Sequence, residues 1–169
     1  MKKLLIVPVL IAAFFVSGCN SLATAQSFED VINGILNVAK AEIPELPPAD
    51  GAILTQWTNL GTTLAAQNQT CINAAAAGGG KNVVFLACFN AFAIGLTSPA
   101  ELAQLRLLSA TGQGKAELWA TAIILGVNGA LSAFKGTALP MPIVASVALS
   151  HRDLEALARQ VGVPSGYGF

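Results

Sequence analysis

Apolar residues recur along this chain at intervals of three and four, and nowhere does an alternating run persist long enough to make a strand. Phe28, Val31, Ile32, Ile35 and Val38 or Ala39 form the first such stripe. Ser27 stands as its N-cap, with Glu29 and Asp30 in the first turn, where the helix dipole favours acids. This helix should end near Ala41, ahead of Pro44. Pro44, Pro47 and Pro48 lack an amide proton and restrict the residues before them, so 43–50 reads as an extended connector. A second stripe begins around Asp50 and continues through Trp57, Leu60, Gly61, Leu64, Cys71, Ile72 and Ala75. Asn68 lies on it, and a polar residue at such a position can fix register. Gly78-Gly79-Gly80 breaks the helix, and Lys81-Asn82 opens a third with Phe85, Cys88, Phe89, Phe92 and Leu96 on one face.

Ser98-Pro99-Ala100-Glu101 is a helix start: serine caps, proline suits the first helical position, and the glutamate can reach back to the cap. The fourth helix is expected to run to about Ala110 with Leu102, Leu105 and Leu108 or Ser109 inward, followed by a turn at Thr111-Gly112-Gln113-Gly114. A fifth, from Lys115 to about Lys135, is apolar nearly all the way round, which suits the centre of a bundle or the inside of a membrane. Pro140 and Pro142 impose another extended segment, and 143–149 fits either a short helix or a strand. Ser150 caps a final helix that buries Leu154, Leu157, Ala158 and Val161 and stops at Gly162 and Pro164. The expected fold is all-α, a small bundle of about six helices.

Cys71 lies seven residues before Gly78 and Cys88 eight after Gly80, so in an antiparallel hairpin both stand about two turns from the bend, each on an apolar face. Outside the cytoplasm two cysteines so placed should oxidise, giving a disulfide worth roughly 3 kcal/mol through restriction of the unfolded chain. The alternative is a pair of buried thiols too far apart to bond. Two cysteines and one distant histidine do not make a metal-ligand set.

The start of the chain supplies the compartment. Lys2 and Lys3 precede an apolar run of 13 residues, Leu4 to Val16, which is short of the ~20 that a bilayer span requires. The run ends in Val16-Ser17-Gly18-Cys19, which resembles the lipobox of bacterial lipoproteins. The resemblance covers residues 1–19 and implies nothing about the fold beyond them. It implies that residues 1–18 are a signal peptide and that Cys19 becomes the mature N-terminus, carrying a diacylglyceryl group and often an N-acyl chain. Two or three chains at ~0.8 kcal/mol per buried methylene anchor a protein stably to a membrane. Asn20 follows, in place of the aspartate that retains many enterobacterial lipoproteins in the inner membrane, which favours the periplasmic face of the outer membrane in a Gram-negative cell. Residues 19–26 then form a lipidated tether, 27–162 the helical domain, and 163–169 a tail.

Without its signal the chain keeps seven basic residues against nine acidic ones, so it offers no electrostatic footprint for nucleic acid. The charges are also sparse, with none between Gly51 and Gly80 or between Leu118 and Phe134.

Candidate chemistry is thin. His151 is the only histidine and begins a capped helix. With Cys19 acylated and Cys71 bonded to Cys88, no thiolate remains to pair with it. Gly112-x-Gly114-Lys115 resembles a fragment of a phosphate loop, but Ser109 stands where its first glycine belongs and Ala116 where magnesium's Ser or Thr belongs. Glu29, Asp30, Glu42, Glu45 and Asp50 read as helix-start charges and solvated linker. No catalytic residue, metal or cofactor is expected. The expectation is a lipid-anchored cell-envelope protein with a structural or partner-binding role. One alternative is a carrier of an apolar molecule or lipid, in a cavity left by Gly95, Gly126, Gly129 and Ala130 opposite Phe85, Phe89, Phe92 and Trp119. Another is a membrane-inserting hairpin of 83–96 and 118–134.

Overall fold

The structure is a computed structural model that describes residues 21–139 and 151–161. Its described residues form helices α1 (Ser21–Glu42), α2 (Pro48–Ala77), α3 (Asn82–Leu96), α4 (Pro99–Leu105), α5 (Ala110–Ala133) and α6 (His151–Gln160), with a 3-10 turn at Ile43–Glu45 and no strand. The protein is an all-α bundle.

Four long helices make its frame. Glu29 meets Asn68, Leu36 meets Gly61 and Ile43 meets Gly51, so α1 and α2 run antiparallel. Cys71 with Cys88 and Leu64 with Gly95 set α2 against α3 in the same sense. Phe28 beside Gly129 and Glu42 beside Lys115 do so for α1 and α5. The helix α3 closes the square on α5, where Phe85 and Phe89 stack on Phe134 at ring-centroid distances of 5.3 and 6.3 Å. Each long helix contributes to one core: Ile32, Ile35 and Leu36, then Leu54, Trp57 and Ile72, then Phe85, Phe89, Phe92 and Leu96, and finally Trp119, Ile123 and Val127. Small residues permit the close approaches. A Cβ on Gly61 would come within 2.7 Å of Leu36 and one on Gly129 within 2.8 Å of Phe28.

Pro48 opens α2 at a position whose amide has no helical partner in any case, so the helix starts two residues before the expected Asp50. Along its exposed, charge-free side Thr55, Thr62, Thr63 and Thr70 return their hydroxyls to carbonyls one turn back, as threonines inside a helix do. Gly79 and Gly80 take φ of 98° and 66° to reverse the chain after Ala77, with Gly80 N donating to Ala75 O.

Besides the earlier start of α2, residues 43–45, expected as extended connector, form a 3-10 turn, and three further boundaries differ from the sequence expectation. Residues 21–26, expected as a tether, are the opening turns of α1: Ala25 is fully buried and Leu22 packs on the core. Helix α4 stops at Leu105, not near Ala110. The supposed turn at Thr111–Gly114 is the first turn of α5, which begins at Ala110 under the cap of Ser109. The expected cap at Ser98 is present, its hydroxyl accepting from Glu101 N at 3.4 Å. The Ser150 cap, residues 143–149 and the tail lie outside the described residues. Leu157 of α6 is buried, and Val161 beyond it lies against Gly34 of α1. Asn128 clasps the chain after α5 at both polar atoms, accepting from Leu139 N at 2.7 Å and donating to Leu139 O at 3.1 Å.

Candidate functional site

The α2–α3 hairpin carries the first predicted site. Cys71 and Cys88 form a disulfide across a Cα separation of 5.7 Å. Both cysteines face the partner helix because each lies on its helix's apolar stripe, and the triple glycine makes the turn short enough to keep them level. The bond leaves neither thiol free for other chemistry.

A second polar centre lies inside the α1–α2 interface. Asn68, expected on the buried stripe, is 3% exposed and donates from Nδ2 to Oε2 of Glu29, which is 1% exposed. Glu29 reads in the sequence as a first-turn charge behind a Ser27 cap, but α1 begins at Ser21, so Ser27 and Glu29 lie within the helix and Glu29 is buried. Desolvation raises its pKa from 4.5 to about 7, opposed by the hydrogen bond from Asn68, assisted by the charge of Asp30 and opposed more weakly by Asn33. Glu29 Oε1 and Asn68 Oδ1 are both buried without a hydrogen-bond partner. A proton on Oε1 would remove the buried charge that desolvation disfavours. The sequence held a signal for this placement. Ala25, Glu29, Ile32 and Leu36 share a helical face, visible once the helix is extended back past Ser27.

The opposite end of the bundle is held by a second buried acid. Asp50, grouped by the sequence with the helix-start and linker acids, is buried at 4% exposure. Its Oδ1 accepts from Ser109 N at 2.9 Å and its Oδ2 from the Ser109 hydroxyl. That hydroxyl in turn accepts from Gly112 N at 3.3 Å, so α2's first turn caps α5 through a serine. A Cβ on Gly112 would stand 2.6 Å from Asp50 Oδ2, which explains a glycine inside a helix. Gln113 donates to the carbonyls of Arg106 and Leu108 and ties down the link after α4. Lys115 donates to Glu42 at 2.6 Å. The Gly112-x-Gly114-Lys115 segment is thus helix, with its lysine engaged by an acid, and lacks the loop that would wrap a phosphate.

Other predicted residues lie apart from these centres. Cys19 falls outside the described residues, and His151 is the first residue of α6. The small residues considered for a cavity are packed instead: Gly95 against Leu64, Gly126 against Val31 and Ile32, and Gly129 against Phe28. Helix α5 is long and apolar enough to cross a membrane, and 67% of its most apolar stretch is buried within the bundle. Among the described residues no group of three or more His, Cys, Asp or Glu is placed to hold a metal. Among the described residues Val83, Val84, Ile94 and Leu107 are the large apolar side chains left exposed. Comparison with protein families, with curated proteins and with solved structures finds no match to this chain.

Proposed function

We propose that this protein is a lipid-anchored component of a bacterial cell envelope that works through contact, as a structural or partner-binding bundle, and not through turnover. The observation that carries the reading is the Cys71–Cys88 disulfide, because a bond of this kind belongs to an oxidising compartment and agrees with the export signal ending at Cys19. Supporting it, the groups that first suggested chemistry serve the scaffold: both hairpin thiols are bonded to each other, Ser109 and Asp50 cap a helix, and Lys115 pairs with Glu42. In this reading Cys19 is the site of lipid attachment and residues 1–18 are removed on export.

The test is the intact mass of the protein recovered from bacterial envelopes. A mature chain beginning at Cys19 and heavier by a diacylglyceryl group is expected, with a Cys19→Ala variant no longer modified. An unmodified Cys19 would remove the anchor from the reading. A reaction whose rate depended on His151 or on one of the carboxylates would remove its second half.

A further inference from the structure

The lipid-anchored reading, on which this inference rests, has a geometric consequence. Cys19 precedes the first residue of α1 by two positions, a reach of about 7 Å even when fully extended. The helix enters the core almost at once, with Ala25 fully buried. An acylated Cys19 therefore keeps the α1 start of the bundle within about 7 Å of its lipid anchor.

What else stands at that end follows from the packing. The bond between Cys71 and Cys88, the stack of Phe85 on Phe134 and the contact of Gly129 with Phe28 bring four elements level. They are the first turn of α1, the Gly78–Gly80 turn, the first turn of α3 and the last turn of α5. Val83 is 66% and Val84 39% exposed there, flanked by the exposed Lys81 and Lys135. Asp30, the nearest exposed acid of α1, lies nine residues beyond Ser21, about 13 Å further along the axis. Glu42, Glu45 and Asp50 collect at the far end, where α1 passes into α2.

We propose that this end of the bundle is a membrane-contact face, with Val83 and Val84 seated in the interfacial layer and Lys81 and Lys135 paired with anionic lipid head groups. The lysine stems lie along apolar surface while their ammonium groups stay among the phosphates. A second copy of the chain fits this face poorly, because two valines and two lysines fall far short of the ~800 Å² per partner that a stable protein interface buries. A bilayer held against the same face by covalent lipid requires no such area, since the anchor already confines it there.

The experiment uses the full chain, exported and lipidated in a bacterium, then reconstituted in vesicles of phosphatidylcholine with or without phosphatidylglycerol, their acyl chains brominated to quench tryptophan. Val83→Trp places a reporter on the face, and Leu107→Trp, at a residue 76% exposed beyond α4, places one away from it. The native Trp57 and Trp119 are buried and give a common background. Quenching several-fold stronger at Val83→Trp than at Leu107→Trp is expected in the anionic vesicles. A Lys81→Glu, Lys135→Glu double variant should lower the ratio of docked to undocked protein by about 25-fold, at roughly fivefold for each lysine near an anionic surface. Both lysines are exposed, so this second variant keeps the fold and tests the face independently of the tryptophan substitution.

Equal quenching of the two reporters in protein whose Cys19 is acylated would overturn the contact face and leave the anchor standing. Quenching at Val83→Trp indifferent to both phosphatidylglycerol and the lysine reversal would overturn the head-group pairing. Emission from Val83→Trp that shifted to the blue with protein concentration in detergent, without vesicles, would give the face to a second copy and refute the proposal. An unmodified Cys19 by intact mass would overturn the anchored reading and this inference together.

Discussion

Glu29→Gln should stabilise this protein above neutral pH while leaving it nearly unchanged in mild acid. The carboxyl is 1% exposed, and burial lifts its pKa from 4.5 to about 7. Between those values the folded chain holds the proton more tightly than the unfolded chain does. The unfolding free energy of the wild type therefore falls as pH rises through that window, then levels off above it. The displacement corresponds to roughly 3 kcal/mol of stability that is present below pH 4.5 and lost by about pH 8. Glutamine does not titrate. Its carbonyl can still accept from Asn68 Nδ2, and it carries no charge to bury. Urea unfolding followed by circular dichroism, at intervals between pH 4.5 and 8, would compare the two chains. Taking their difference cancels every other titrating group that both share. Curves that converge in acid and separate by a few kcal/mol at the alkaline end are expected. Parallel curves, or a variant less stable than wild type at pH 8, would refute the argument that an uncompensated buried carboxylate sits between α1 and α2.

The other predictions concern the scaffold. Reducing the Cys71–Cys88 bond, or replacing both residues with alanine, should lower the urea midpoint by the equivalent of roughly 3 kcal/mol; an unchanged midpoint would mean that the bond does not restrict the unfolded chain. Gly112→Ala and Gly114→Ala, two positions apart on α5, should move stability in opposite directions. The first disturbs the Asp50–Ser109 cap, a loss of ~1–2 kcal/mol that outweighs the helix propensity gained, whereas the second has open space for its Cβ and should gain up to about 1 kcal/mol. Thermal unfolding of both variants decides it, and equal shifts would argue against the cap. Lys135 holds φ of 60° just past the end of α5, so Lys135→Gly should raise stability by roughly 0.5–1 kcal/mol despite removing a side chain. A lower denaturation midpoint for that variant would mean that the lysine makes contacts worth more than the backbone relief.

The local signals and the tertiary ones were unequally visible in the sequence. The face of α3, the cap at Ser98, the glycine break after Ala77 and the cysteine pair could all be read, because each depends on residues within a few turns of one another. What escaped reading depends on residues far apart. Thr111-Gly112-Gln113-Gly114 has the composition of a turn and is helical because Asp50, more than fifty positions earlier, fixes Ser109 as its cap. Local propensity is a weak prior that tertiary contacts override. Glu29 and Asp50 read as helix-start and linker charges because acids at such positions usually face water. In both cases the periodicity already put them inward, since Asp50, Leu54, Trp57 and Gly61 share a face of α2 as surely as Ala25, Glu29, Ile32 and Leu36 share one of α1.

The Asp50–Ser109 link also bears on the order in which the chain can assemble. Helix α5 opens with five residues that include two glycines and a threonine, a poor nucleus on its own. Its first turn becomes favourable only when Asp50 has been positioned by the start of α2 and Ser109 has been brought to it. In a partly folded chain, α5 would therefore be shorter at its front than in the native bundle. The arrival of α2 would extend it, joining two halves of the sequence in a single cooperative transition.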